Sequence, residues 1–174
     1  MRLRILAAIV FTTSFVGLPF AVQAQATTDP QIVGIVLAAN KIDIDAGKAA
    51  VGKAHDPQVK AFAQQMITDH SALQKSVIQL GAKLNVKPAD SPTQDSLKKQ
   101  AAETATRLKG LSGAAYDKAY IDNEVAYHQA VIDAVTNTLI PNAHNPELKS
   151  ALQGAAPAFV GHLDHAKHIQ ATMK

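Results

Sequence analysis

Four dipeptides in which a helix-capping residue precedes proline divide the sequence from residue 29 onward. They are Asp29-Pro30, Asp56-Pro57, Ser91-Pro92 and Asn145-Pro146. The side chain before each proline can accept hydrogen bonds from the free N–H groups of a first helical turn, and proline itself has no N–H to leave unpaired there. A fifth start is expected at Ser112-Gly113, because Gly110 can end the preceding helix. The pattern predicts five helices, at about residues 30–53, 57–84, 92–109, 113–139 and 146–173.

The spacing of apolar residues indicates how these helices pack. The four long helices carry apolar side chains at intervals of three and four, which is the pattern of helices in bundles. No stretch of Val, Ile and Thr alternates with polar residues, so strands are not expected. The shorter helix at 92–109 is expected to connect the second and fourth helices. We therefore predict an all-α, ferritin-like up-down four-helix bundle with a short additional connecting helix.

An ionisable side chain interrupts the apolar face of each long helix near its midpoint. These residues are Asp43, His70, Glu124 with His128, and His162. The midpoints of helices of similar length share one layer of a bundle, whichever way each helix runs. We expect the five side chains to converge within one or two helical turns of ~5.4 Å each.

Such a cluster needs partners, because a buried polar group without one costs free energy. Three imidazoles and two carboxylates are a typical ligand set for Fe, Zn, Mn or Cu. We predict a metal site formed by Asp43, His70, Glu124, His128 and His162. One alternative is a hydrogen-bonded polar layer that sets the helix register in a structural or interaction module without metal. Another is a mononuclear redox enzyme, which would need an open coordination position and a substrate channel that the sequence does not show.

Two further sets of side chains accompany this cluster. Asp69 is next to His70, but neighbouring helical residues point about 100° apart. We expect Asp69 to orient another side chain or to face solvent. Tyr116, Tyr120 and Tyr127 are expected to pack with their hydroxyl groups at the rim of the bundle.

The first 24 residues have the organisation of a Sec signal peptide. Two arginines precede an apolar stretch, Ile5 to Val16, that is too short to span ~30 Å of hydrocarbon. Residues 22–24 or 24–26 offer small side chains for cleavage. The chain has no cysteine, so neither a lipid anchor nor a disulfide is expected. We expect residues 25–174 to form one bundle domain in the periplasm or outside the cell.

The charge of the mature chain is small. Without Arg2 and Arg4 the formal net charge falls from +3 to +1, and no basic stripe remains that would indicate nucleic acid as a partner. No segment after the signal peptide is expected to cross a membrane. No sequence pattern indicates a protein partner, so a metal ion is the only partner that we predict.

At these residues the sequence resembles the exported bacterial proteins of the family called domain of unknown function 4142. The resemblance covers about residues 30–170 and implies a ferritin-like fold, export, and a metal-related or stress-related role, without an established catalytic activity. The matching stretches are Gly47 after Asp43, Val59-Lys60-Ala61-Phe62-Ala63, Met66, Asp69-His70, Tyr116-Asp117-Lys118-Ala119-Tyr120-Ile121 with His128, and Pro157 with His162-Leu163.

Four positions depart from the related patterns. Asp43 stands where this family usually has Glu, and Tyr127 precedes His128 where an acidic residue is usual. Ile67 and Val125 occupy the positions that are Glu in the paired Glu-x-x-His motifs of di-iron ferritin-like proteins. A ferroxidase of that type is therefore not expected.

The signal-peptide hypothesis predicts the first residue of the mature protein. Cleavage after Ala24 or Ala26 gives an N-terminus at Gln25 or Thr27. N-terminal sequencing of the protein from a periplasmic fraction measures this. An intact Met1 in that fraction would contradict the hypothesis.

Overall fold

The computed structural model describes residues 26–173, and within this range the secondary structure is entirely helical. The predicted signal peptide lies outside the described residues. The all-α class is confirmed, and each predicted helix is present with ends that differ by a few residues at most. The order is α1 Asp29–Lys53, α2 Pro57–Lys83, α3 Pro92–Lys109, α4 Gly113–Ala134, a π-helical turn Val135–Leu139, α5 Ile140–Asn142 and α6 Pro146–Thr172.

The predicted capping residues start three of the helices. Asp56, Ser91 and Asn145 accept hydrogen bonds from the backbone N–H groups that open α2, α3 and α6. At α1 the cap is Thr28, one residue earlier than predicted. Asp29 instead accepts hydrogen bonds from the N–H groups of His144 and Asn145, at 2.8 and 2.9 Å. This side chain therefore fastens the loop before α6 to the start of α1.

The four long helices form two antiparallel hairpins, α1 with α2 and α4 with α6. The start of α3 lies near the start of α1, where the N–H of Ala89 donates to the carbonyl of Pro30. The end of α3 lies at the end of α1, where the ammonium group of Lys53 donates to the carbonyls of Leu108 and Leu111. Because α3 runs parallel to α1, α4 starts at the same end of the bundle as α2. A single long crossover of this kind occurs in ferritin-like bundles.

A layer of polar side chains separates two apolar clusters along the bundle axis. We call the half near Lys53 the lower half and the half near Asp29 the upper half. The lower cluster includes Val59, Phe62, Met66, Tyr120, Ile121 and Ile169. The upper cluster includes Ile32, Ile35, Leu139, Leu148, Leu152 and Phe159. The predicted site residues occupy the layer between them.

The apolar faces are less buried in the upper half than their sequence pattern predicts. Several residues of the predicted apolar faces there are only half-buried, although they pack against the upper cluster: Val36, Leu73, Val77, Leu80, Val131 and Ala155. In the lower half the equivalent residues are almost completely buried. The reason is a cavity between the two hairpins, which we describe below.

The fourth helix was predicted as one regular helix over residues 113–139. The regular helix ends at Ala134, and the chain continues through the π-helical turn into α5. Pro141 explains this difference, because its ring would clash with the carbonyl four residues earlier in a regular α-helix. The wider turn before the proline accommodates the ring without ending the helical path.

The close approach of α1 to α2 gives a stability prediction. A Cβ atom at Gly47 would lie 2.9 Å from the carbonyl oxygen of Ala63 and 3.0 Å from the side chain of Ile67. Gly47→Ala should therefore lower the free energy of unfolding by roughly 1–3 kcal/mol, because the two helices must move apart.

Gly154 provides the matched control for that substitution. No atom lies within 4 Å of a Cβ built at Gly154, so Gly154→Ala should raise stability by about 0.5–1 kcal/mol. Urea unfolding of both variants tests the packing, and a Gly47→Ala protein as stable as Gly154→Ala would contradict it.

Candidate metal centre

The structure brings all five predicted site residues together in the middle layer. Asp43 from α1, His70 from α2, Glu124 and His128 from α4, and His162 from α6 are each at most 4% exposed. The ring centroids of the three histidines lie 5.2 to 5.7 Å apart. These residues lie at similar distances along their helices, and as a result their side chains lie next to one another.

The orientation of His70 is set by Asn40. The Asn40 amide nitrogen donates to the carbonyl of Val36 at 2.9 Å, which leaves its amide oxygen to accept from Nδ1 of His70 at 2.8 Å. In the neutral tautomer that this contact favours, the proton is on Nδ1. The other ring nitrogen, Nε2, is buried and lies 2.8 Å from Oδ2 of Asp43.

His128 and His162 are oriented in the same manner by acceptors of different kinds. Nδ1 of His128 donates to the backbone carbonyl of Glu124 at 3.0 Å. Nε2 of His162 donates to a carboxylate oxygen of Asp69 at 3.0 Å. Both acceptors fix the ring tautomer. The other ring nitrogens, Nε2 of His128 and Nδ1 of His162, are buried without a hydrogen-bond partner.

The three histidines are close enough for their nitrogens to contact one common atom. One ring nitrogen from each lies within 4.8 Å of one from each of the others. Asp43, Glu124 and His128 form a second such group within the same limit. The two groups share His128, so the cluster is continuous across all four long helices.

Asp43 lies against two of the histidines. Its Oδ2 atom is 2.8 Å from Nε2 of His70 and 3.4 Å from Nε2 of His128. In the neutral tautomers described above, none of these three atoms would carry a hydrogen. Acceptor atoms this close require a positive charge beside them, which a proton or a metal cation can supply.

Burial controls the protonation of this cluster. Loss of hydration lowers the pKa of His128 to about 4 and lowers the pKa of His162. Both rings are therefore neutral at physiological pH, with lone pairs available. Burial, and then the charge of Asp43, raises the pKa of Glu124 well above its ordinary value. Glu124 therefore retains its proton to a higher pH than an exposed glutamate does.

A comparison with protein families shows to which family the chain belongs. The family described as Domain of unknown function (DUF4142) matches residues 18–169. The chain belongs to this family. No curated protein matches the chain. Within residues 26–173, no helix combines the length and the apolar character needed to span a membrane.

One solved structure supports the fold of this DUF4142 chain. It is described as CopM in the Cu(II)-bound form, with a TM-score of 0.65 and 17% sequence identity. The match covers 84% of this chain and 99% of CopM. At this level of identity, the similarity shows that the two proteins share a fold.

The sequence does not indicate which side chain orients each predicted ligand. Asn40 gives no sequence signal, because its partner His70 is on another helix. Asp69 orients a neighbour as expected, but only the structure shows that the neighbour is His162. The tyrosine prediction was wrong for Tyr116 and Tyr120, because their hydroxyl groups are buried without a hydrogen-bond partner.

The pKa of His128 gives a pH-dependent prediction for the metal-free protein. An unfolded histidine has a pKa of ~6.5, whereas folded His128 takes up a proton only near pH 4. Between these values the unfolded state binds more protons, so this residue should lower the free energy of unfolding as the pH falls from ~6.5 to about 4. Titration of the His128 resonances by NMR measures the folded pKa directly.

His128→Gln is the control for the stability measurement. It removes the titration of residue 128 and keeps Glu124, whose raised pKa contributes with the opposite sign. Wild type should lose more stability than His128→Gln over that pH range. A folded pKa near 6.5 for His128, or equal acid sensitivity of the two proteins, is the contrary result.

Proposed function

We propose that this protein binds one first-row transition metal ion through His70, His128, His162 and Asp43. The supporting observation is the arrangement of the three imidazoles. Each has one nitrogen held by an acceptor and the other buried, where Asp43 faces those of His70 and His128 and that of His162 has no partner. Three lone pairs fixed in this way form a ligand set that lacks only the cation.

The distances between the candidate ligand atoms fit a single ion. Four ligands at ~2.0–2.1 Å from a metal are separated by roughly 3.3 Å in tetrahedral geometry. Asp43 Oδ2 is 2.8 and 3.4 Å from the two nearest ring nitrogens, and the histidines supply nitrogens within 4.8 Å of one another. Asp43 is grouped with His128 and not with all three histidines, so its side chain would turn further towards them when the ion binds.

The chemistry of the ligands narrows the choice of ion. Imidazole nitrogens with one carboxylate, and no thiolate, favour Cu(II) or Zn(II) over Mn(II) and Fe(II) in the general order of affinities. The structural neighbour CopM is described as Cu(II)-bound. We therefore propose Cu(II) as the first ion to test, with Zn(II) second.

Metal binding is expected to be coupled to the protonation of Glu124. In the metal-free protein, burial and the nearby Asp43 carboxylate favour the protonated form of Glu124. A cation beside Asp43 opposes that charge, so metal binding should favour ionisation of Glu124 and release a proton. We propose that Glu124 does not bind the metal ion directly, and that its ionised carboxylate offsets part of the positive charge of the ion.

A structural polar layer is the second candidate function. The 2.8 Å contact between His70 and Asp43 favours it, because a second proton on His70 would make this contact an ion pair. In that case the five residues would set the helix register and no ion would be needed.

We also propose that the protein acts outside the cytoplasm. The N-terminal sequence pattern, Arg2 and Arg4 before an apolar stretch, supports export to the periplasm or beyond. A metal-binding protein there would lower the free concentration of a transition metal ion, and this is the form in which we propose a role in envelope stress.

The metal hypothesis predicts a stoichiometry and a mutational effect. Protein purified without an affinity tag should bind one Cu(II) per chain in a calorimetric titration. His70→Ala should weaken binding by at least about a hundredfold, because loss of an outer partner of a ligand alone costs ten- to a hundredfold. Bound metal should also raise the melting temperature, since it binds the folded state.

His55→Ala is the matched control, because His55 is exposed and lies in the loop between α1 and α2. This variant should bind Cu(II) like wild type. If neither Cu(II) nor Zn(II) binds, or if His70→Ala and His55→Ala bind equally well, the polar layer is the better account.

A further inference from the structure

A cavity of about 900 Å³ opens between the two hairpins above the polar layer and extends along α1, α3 and α4 into the lower half, where Asp45, Lys53 and Lys109 are among its lining residues. Its inner part is lined by the facing sides of the four long helices in the upper half of the bundle. It continues between α1 and α4 into a groove covered by α3. The hydroxyl group of Tyr127 donates to the carbonyl of Ala39 across the gap between α4 and α1, at 2.9 Å.

The cavity lies where the sequence places core residues. Its lining includes the half-buried apolar residues of the upper half, namely Val36, Leu73, Val77, Leu80, Val131 and Ala155. Protein interiors are normally packed with few voids larger than a water molecule. The residues around a void of this size lack van der Waals contacts that an apolar ligand could supply.

The inner walls indicate what kind of ligand would fit. The lining residues from α2 and α6 are almost all aliphatic or aromatic, and His70 is the only ionisable side chain among them. His70 donates to Asn40, which also lines the cavity. A charged group would therefore find no opposite charge in this part, and its desolvation would be unfavourable.

The inner part of the cavity sets the length of the aliphatic chain that it can enclose. Along α2 the lining runs from His70 to Leu80, and along α6 it runs from Leu148 to Phe159. At 1.5 Å per residue, each wall is about 15 Å long. The lower end is closed by the ring of Phe159 stacked on His70, with 6.1 Å between the ring centroids.

We propose that this cavity binds an uncharged molecule with an unbranched aliphatic chain about 15 Å long, whose end lies beside His70. Pockets of 300–1,000 Å³ with apolar walls are typical small-molecule sites. The proposal is independent of the metal hypothesis, because the walls are present whether or not an ion is bound below them.

Binding of straight-chain alcohols to the metal-free protein tests the proposal. N-phenyl-1-naphthylamine, whose fluorescence increases in apolar surroundings, serves as the probe that the alcohols displace. We expect one saturable site per chain. The affinity of the alcohols should rise about fourfold per methylene and level off when the extended chain exceeds about 15 Å.

Two substitutions on α6 make the test specific for the cavity. Ala155 lines the cavity, whereas Ala158, one turn away on the same helix, is exposed and does not. Ala155→Phe should weaken alcohol binding at least tenfold, and Ala158→Phe should leave it unchanged. Val77→Phe fills the cavity from α2 and decides the question if Ala155→Phe does not fold.

Three results would overturn the proposal. They are the absence of saturable displacement, an affinity that continues to rise with chain length, and equal binding by the cavity-filling and Ala158→Phe variants. Because no metal is present in these titrations, failure here leaves the metal hypothesis untouched. Failure of Cu(II) binding likewise leaves the cavity proposal to stand on its own data.

Discussion

The burial of three imidazoles and two carboxylates in one layer is the constraint on which the rest of the structure depends. Removal from water keeps His128 and His162 neutral and favours a protonated Glu124. Acceptors on three sides then hold the rings with their second nitrogens buried in the core. A layer of this composition is costly without a cation or shared protons, and this cost is the physical basis of the metal hypothesis.

The same layer divides the bundle into two unequal halves. Below it, large side chains such as Phe62, Met66 and Tyr120 fill the space between the hairpins. Above it, the hairpins remain apart, and apolar residues line the inner part of a cavity whose lower end is closed by His70 and Phe159. The candidate metal centre therefore lies at the boundary between a packed core and an apolar space. His70 belongs both to the candidate metal centre and to the wall of the cavity.

Most of the fold could be predicted because its signals are local. Capping residues before proline give the helix starts, and the depth of Asp43, His70, Glu124, His128 and His162 in their helices gives the convergence. The role of Asn40 and the partner of Asp69 could not be predicted, since each acts on a histidine of another helix and depends on helix rotation. The cavity could not be predicted either, because an apolar helix face has the same sequence pattern whether it packs against another helix or lines an empty space.

Electron paramagnetic resonance of the protein loaded with one equivalent of Cu(II) tests the central claim most directly. The spectrum reports the number of nitrogen ligands, and pulsed measurements detect the remote nitrogen of each bound imidazole. The account predicts three imidazole ligands in wild type and two in His162→Ala, with three retained in His144→Ala because His144 is exposed in the loop before α6. Fewer than three imidazoles in wild type, or a spectrum unchanged in His162→Ala, would contradict a metal centre in the buried layer.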